Sequence, residues 1–406
     1  MTNQDFESGT IVKDDKAQKH IFFLITVLMI YPLPQMAIDI YLPSWPNMSA
    51  FFGVHHHLIQ LSLTIYILFL GFSQIFYGVL CDFYSRKKLL MLGIGLFILG
   101  CLGSVVSHNI WFLIASRIIQ ALGLGCGFTI ASSLLADAYT GKDLARVLSY
   151  SAMVYALSLI LAPVIGSFIE HYLSWRDNFF FMIFYALVLL FCIQCFVHLQ
   201  SFDKKNEVCL RSVFNNYLAI MKSTEFWLFC LCLICGYGVI VVFNLLGPFL
   251  LMEKLHVSVM DYGFLLFIVG LAYFFGSWVN GKTLDRGIRR NVFVGIFIMI
   301  ISAMGLLACS IQSFFDLRFI VGLVAASVFS VGFIYPNCFS IIMDLFQGKS
   351  YVSSLVGSMI LLGVSGIGSV ITSLHLSGLM DLSLMFISLS VFVLVFFLVG
   401  LRLKSI

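Results

Sequence analysis

The stretch GVLCDFYSRKKLLMLG, Gly78 to Gly93, breaks an apolar sequence with an acid, a short polar turn and three consecutive basic residues. Apolar residues 58–80 precede it and 88–107 follow. Each run is close to the ~20 residues that an α-helix needs to cross the hydrocarbon core of a bilayer. A tight basic turn between two such runs reads as a membrane hairpin, with Arg86, Lys87 and Lys88 kept on the untranslocated side. The pattern recurs in NGKTLDRGIRRNVFVG, Asn280 to Gly295, where an acid, a tight loop and a basic pair again join two apolar runs.

Composition agrees with this reading along the whole chain. Of 406 residues, 61% are hydrophobic and 10% charged, against about 25% charged in an ordinary soluble domain. A soluble surface could not be built from so few polar groups, so the chain reads as an all-α membrane protein. Twelve spans are expected, at 20–43, 58–80, 88–107, 110–136, 147–172 and 178–199, then 225–252, 261–281, 290–310, 315–340, 350–376 and 379–401. They form two six-helix bundles, 20–199 and 225–401, between a tail 1–19 and a tail 402–406. A polar linker at 200–224, holding a short amphipathic helix, separates them. The first run lacks a small-residue cleavage site and reads as an uncleaved first helix.

Charge sets the orientation. Of 23 Lys and Arg, nineteen fall on one side: Lys13, Lys16, Lys19, Arg86, Lys87, Lys88, Lys142, Arg146, Lys204, Lys205, Arg211, Lys222, Lys282, Arg286, Arg289, Arg290, Lys349, Arg402 and Lys404. Arg176, Lys254 and Arg318 fall on the other, which places both termini in the cytoplasm. The net charge of +4 comes without a basic tract carrying interleaved aromatics, so nucleic acid is not an expected partner. Most of the eleven cysteines lie inside apolar runs and read as small buried hydrophobes. Parallel six-helix repeats of this kind are found in transporters that rock about a midplane site.

The loop motif Gly78-x-Leu80-x-Asp82-x-x-Ser85-Arg86-Lys87-x-x-Leu90 resembles the cytoplasmic signature of the major facilitator superfamily, with Ser85 where that signature has glycine. RIIQALGLGCGF, with Arg117, Gln120 and Gly123, resembles the Arg-x-x-Gln-Gly motif of drug–proton antiporters, Ala121 standing at the glycine. LILAPVIGSFI, with Pro163 and Gly166, resembles the antiporter motif Gly-Pro-x-x-Gly-Gly, with Ala162 and Ser167 substituted. SWRDNFF resembles the family's Trp-Arg-x-x-Phe turn. AIDIYLPSWPNM resembles the first-span signature Asp-x-Tyr-Leu-Pro of the Bcr/CflA (bicyclomycin-resistance) branch, and the stretches around Asp137 and Pro248 resemble the same branch. The likeness covers about residues 30 to 295. It implies a twelve-helix major facilitator fold, a monomer in a bacterial inner membrane, and antiport driven by a proton gradient with no cofactor or metal.

Two charges within spans carry the expected chemistry. Asp39 lies in the first span, where insertion scales put a charged side chain at about 2.5–3.5 kcal/mol. Arg117 cannot discard its charge and needs an anion or carbonyls facing the bundle interior. The resemblance puts both helices on the central cavity, so the two are expected as partners and as the proton-coupling pair, with proton and substrate competing at Asp39. Tyr31, Gln120, Tyr155, Phe243, Asn244, Tyr335 and Asn337 are expected to line the substrate cavity. Gly78, Asp82, Arg86, Lys87 and Asp137 are expected to form a conformational latch, and Pro163 with Gly166 a hinge.

Other motifs carry less. FQGKS has Met343 where a phosphate loop needs its first glycine. His55, His56 and His57 cannot all face one ion from a regular helix and read as a solvated loop, and Cys230, Cys232 and Cys235 read as buried thiols. No nucleophile–base constellation marks an enzyme. The expected activity is export of small amphipathic molecules, multidrug-type efflux. The two substituted glycines around Pro163 keep open a dedicated metabolite or siderophore transporter. A non-transporting sensor on the same fold would require lost coupling residues or an added soluble domain.

Overall fold

The computed structural model describes residues 21–81, 83–139, 141–197, 218–312, 316–346 and 350–403. The N-terminal tail, Asp82, the side chain of Lys142 and most of the linker lie outside what is described, and so does the amphipathic helix expected there. Among the described residues twelve helices are long and apolar enough to cross a membrane, and there is no β-strand. They are α1 Ile21–Phe52, α2 His56–Leu80, α3 Arg86–Val105, α4 Ile110–Ala138, α5 Arg146–Tyr172, α6 Trp175–Phe196, α7 Thr224–Lys254, α8 Val259–Arg286, α9 Ile288–Ile311, α10 Leu317–Leu345, α11 Val352–Ser373 and α12 Leu379–Leu403. In a bilayer the backbone must satisfy itself, and helices do so within one segment.

Polar residues in the loops set many of the starts. Ser85, Asn109, Ser174, Ser223, Ser258 and Asp316 each turn a side-chain oxygen onto an N–H of the following first turn. Such caps contribute about 0.5–2 kcal/mol each. The first span departs from expectation, since α1 continues past residue 43 to Phe52. Its prolines divide it instead of ending it. Pro32, Pro43 and Pro46 each stand in the first turn of a new segment, where a missing N–H leaves no bond unmade. The segments are Pro32–Asp39, a tight 3₁₀ turn at Leu42–Ser44, and Trp45–Phe52. Gly53, at φ 61°, then closes α1 in the left-handed conformation that favours glycine.

Packing repeats between the halves. α3 meets α4 and α6, and α2 meets α4, as α9 meets α10 and α12, and α8 meets α10. The two halves join along α2–α11 and α5–α8. Lipid exerts no hydrophobic drive between helices, so close contact depends on small residues. At Gly93 an added Cβ would lie 2.6 Å from the Gly123 carbonyl, so α3 and α4 pack backbone to backbone there. Phe76, Trp111, Phe184, Phe191 and Phe297 turn outward, an apolar exterior that suits lipid. Helix alternation gathers Arg86, Lys87, Lys88, Arg286, Arg289, Arg290 and Arg402 at one end, the basic end. His55–His57, His256 and His375 lie at the opposite, histidine end.

Candidate functional site

Among the described residues three side chains of Asp, Glu, Lys or Arg are buried: Asp39, Arg117 and Glu170. Asp39 ends the middle segment of α1. Gln35, one turn earlier on the same face, donates its Nε2 to Asp39 Oδ2 at 2.7 Å. Asn244 of α7, in the other half, donates its Nδ2 to Oδ1 at 3.0 Å. The Gln35 amide is held from its far side, because Tyr155 and Tyr237 hydroxyls both donate to its Oε1, at 2.8 and 3.1 Å. An amide whose oxygen takes two phenols must turn its nitrogen to the carboxylate. The result is a chain of neutral donors, drawn from α1, α5 and α7, that ends on one acid.

Arg117 does not pair with Asp39. Its Nη2 donates to the Ala37 carbonyl at 2.8 Å and its Nη1 to Gln120 Oε1 at 2.6 Å. Ala37 lies in the last turn of the middle α1 segment, where carbonyls lack partners further along the helix. The break in α1 therefore creates the acceptor that Arg117 takes. The guanidinium lies between the rings of Tyr41 and Tyr66, 4.5 and 4.1 Å from their centroids. Cation–π contact is worth about 2 kcal/mol or more when desolvated. Tyr66 in turn donates to the Pro34 carbonyl at 3.1 Å. The expected ion pair is thus replaced by a clamp of main-chain oxygen and aromatic faces on the segment that carries Asp39.

The expected cavity residues divide into two groups. Tyr155 and Tyr335 are half-buried and stand with Tyr237 and Tyr273 between α5, α7, α8 and α10. Tyr237 and Tyr335 have ring centroids 6.4 Å apart, and Tyr335 stacks on Phe339. Asn244 reaches this group through Asp39. Gln120, by contrast, is fully buried between Arg117 and Ser104 Oγ, to which it donates at 2.8 Å. Phe243 and Tyr31 are buried too, Tyr31 edge-on to Phe128. Asn337 is buried inside the second half, donating to Asn280 Oδ1 at 2.7 Å, the same oxygen that takes Asn291 Nδ2 at 2.9 Å. These four side chains are buried among neighbouring helices. Gln35, Tyr237 and Tyr273, which the sequence reading did not single out, join Tyr155 in the group around Asp39.

Among the described residues, the basic-end motif makes contacts within the first half. Arg86 pairs with Asp137 and donates to the Ser133 carbonyl at 2.8 Å, at the C-terminal end of α4. Lys87 donates to the Gln194 carbonyl at 2.9 Å, at the end of α6. Cations at helix C-termini suit the dipole. Gly78 is half-buried in the last turns of α2, and Asp82 lies outside the described residues. The corresponding turn of the second half is tied by the neutral Asn280–Asn291–Asn337 cluster. Pro163 lies within α5, and a Cβ at Gly166 would run into the Ile40 carbonyl, so α5 touches the α1 backbone beside Asp39.

At the histidine end the three adjacent histidines do more than form a solvated loop. His56 pairs with Glu253 of α7 at 3.0 Å and stacks on Phe249 at 3.9 Å. His57 meets His375 edge-on at 4.3 Å. His55, His56, His57 and His375 line a cavity of about 400 Å³ with Gln60. Gln60 crosses to the other half, donating to the Leu245 carbonyl at 2.9 Å. The reason is helix phase: α2 begins at His56, so His56 and His57 point toward the second half instead of into a loop.

The model of the Major Facilitator Superfamily matches residues 27–368, with a further match at 228–405. Multidrug resistance protein D of Escherichia coli (strain K12) is 27% identical over 272 residues, 67% of this chain and 68% of that protein. A bicyclomycin resistance protein homolog of Haemophilus influenzae is 24% identical over 71% of this chain and 74% of its own length. A chloramphenicol resistance protein of Pseudomonas aeruginosa is 26% identical, over 64% of this chain and 62% of its own length.

Proposed function

This chain belongs to the Major Facilitator Superfamily, and on that premise we propose that it is a proton-coupled antiporter exporting small amphipathic molecules. The observation that carries the reading is Asp39: a buried carboxyl held by Gln35 of its own helix and Asn244 of the opposite half, with no cation paired to it among the described residues. A buried carboxyl with neutral donors only is a place where a proton or a cationic guest can supply the missing charge. Either would compete with the Asn244 bond that spans the halves. Competition at one site, coupled to the contact between halves, is the requirement for exchange.

Each remaining residue has a part in this cycle. Arg117, Tyr41 and Tyr66 act as positioning residues, fixing the α1 segment so that Asp39 keeps its depth. Tyr155, Tyr237, Tyr273 and Tyr335 offer an aromatic wall with hydroxyl tips, suited to flat amphipathic or cationic substrates. Bonds across the halves at the histidine end support a state closed on that side. With the basic end in the cytoplasm of a bacterial inner membrane, protons would enter from the histidine end and the protein would work as a monomer without a cofactor. The names of the relatives, multidrug, chloramphenicol and bicyclomycin resistance, support a drug-like cargo.

The test is reconstitution in liposomes with an internal pH dye and a panel of lipophilic cations, chloramphenicol, siderophores and amino-acid derivatives. Substrate-dependent proton movement that disappears in Asp39→Asn is the expected result. Undiminished coupling in Asp39→Asn would refute it, and a response confined to one siderophore or amino-acid derivative would replace drug efflux with a dedicated metabolite route.

A further inference from the structure

Glu170 is the second buried carboxyl, and nothing above uses it. It lies on α5 one turn beyond Gly166, the glycine seated on the Ile40 carbonyl, and so follows α1 from Asp39 toward the histidine end. Its Oε1 accepts Asn47 Nδ2 at 2.5 Å. The Ser44 hydroxyl also faces it. Ser44 Oγ accepts Asn178 Nδ2 at 3.0 Å, which leaves its own proton free to point at the carboxyl. Above this group, Phe51 and Phe52 pack on Trp175 with ring centroids 5.6 and 5.5 Å apart.

Among the described residues no cation answers the charge. The charged group facing Glu170 is Asp177, in the first turn of α6, which is a like charge. Arg176 is engaged elsewhere, donating to the Val105 and Ser107 carbonyls and stacking on Phe51 and Trp175. His171 turns its ring onto Tyr172, and among the described residues no Lys, Arg or His pairs with Glu170. The environment thus repeats that of Asp39: a buried acid, an amide donor supplied by α1, and neutral partners. To hold Asn47 in place only an acceptor is needed, which a glutamine would supply without burying a charge. What the acid adds is the capacity to take up and release a proton.

We infer that Glu170 is a second proton-binding station of the transport cycle, on the histidine-end side of Asp39 and linked to it through the same broken helix. This rests on the antiport reading above. Two stations imply two protons moved per substrate. Export of a monovalent cation then carries net charge and responds to membrane potential as well as to the pH gradient.

Tetraphenylphosphonium transport in proteoliposomes, under a pH gradient alone and under a potassium–valinomycin potential alone, tests this. Wild type and Glu170→Asp should respond to both. Glu170→Gln should keep the pH-driven component and lose the response to potential, while Asp39→Asn loses both. Potential-driven transport in Glu170→Gln equal to wild type overturns the inference and leaves the antiport reading standing. So does a wild type that couples through Asp39 but ignores potential. A wild type that moves no protons with any compound overturns the antiport reading and this inference with it. Infrared difference spectra of Asp39→Asn across the pH range of transport supply a measurement that needs no turnover. One titrating buried carboxyl band, absent from the Asp39→Asn/Glu170→Gln double variant, is expected; no such band would overturn the assignment.

Discussion

Asn244→Ala removes one donor from Asp39 and does so across the junction of the halves. The bond it deletes is 3.0 Å long, buried, and made to an ionisable group. Hydrogen bonds to charged groups contribute about 1.5–3 kcal/mol. At about 1.4 kcal/mol per factor of ten, that is a shift of about 10- to 150-fold in the balance between the state in which the halves meet here and the state in which they part. The Gln60 bond to Leu245 and the half-exposed His56–Glu253 pair survive the substitution, so the junction is weakened and not abolished. Spin labels carried by unnatural amino acids at Leu173 and Leu374, exposed positions at the histidine end of each half, report that balance as a distance distribution. The longer-distance population should rise in Asn244→Ala. Asp39→Asn combined with it should add less than the sum of the two, because the partners are removed together. A change of less than about threefold would refute the claim that this bond couples the acid to the closure of the halves.

Further predictions concern the frame around the site. Arg117→Lys keeps the charge but loses the planar fork that joins Ala37 to Gln120 and the stacking between Tyr41 and Tyr66. It should lower stability by about 3–5 kcal/mol, read as a fall in melting temperature in detergent, and an unchanged melt would exclude the clamp. Asn280→Leu leaves one amide N–H of Asn337 without its acceptor, at about 1–3 kcal/mol, while Asn291 keeps Thr283 Oγ1 and the main-chain carbonyl of residue 280. Replacing all three asparagines with apolar residues should therefore be milder than Asn280→Leu alone, in the same melting assay. Gly166→Val drives a branched side chain against the Ile40 carbonyl. Overpacking of about 1–3 kcal/mol should appear as a lower yield of monodisperse protein on size-exclusion chromatography, with wild-type yield as the contrary outcome.

The architecture was legible because membrane helices are written in composition. Long apolar runs, basic turns and their recurrence depend on local chemistry that bilayer thickness enforces. The site was legible in part. Asp39 and Arg117 stand out because a charge in an apolar run is conspicuous, yet the two bond to different partners. Opposite charges suggest each other in a sequence, whereas the partner Arg117 takes is a carbonyl released by the α1 break, and backbone oxygens leave no mark among side-chain letters. Gln35 carried a usable signal, its four-residue spacing from Asp39 on one helix face. Tyr237 had none within ICGYGVIVV. Glu170 drew no notice near the end of its span, because its partner Asn47 belongs to the part of α1 beyond residue 43. The bonding of Asn337 to Asn280 and Phe333 left no mark either, because depth along a helix says nothing of the direction a side chain faces.

The clamp on α1 bears on how such a protein can change its cargo. The anchors of the Asp39 segment are the main-chain oxygens of Pro34 and Ala37, held by Tyr66 and Arg117. No coding change removes a peptide carbonyl. The walls are different, since Tyr155, Tyr237, Tyr273 and Tyr335 present rings that one nucleotide replacement can convert to other side chains. On the antiport reading proposed above, selection for a new substrate can therefore redraw the aromatic surface while the placement of the acid is inherited unaltered, separating the part that would drive exchange from the part that would choose what is exchanged.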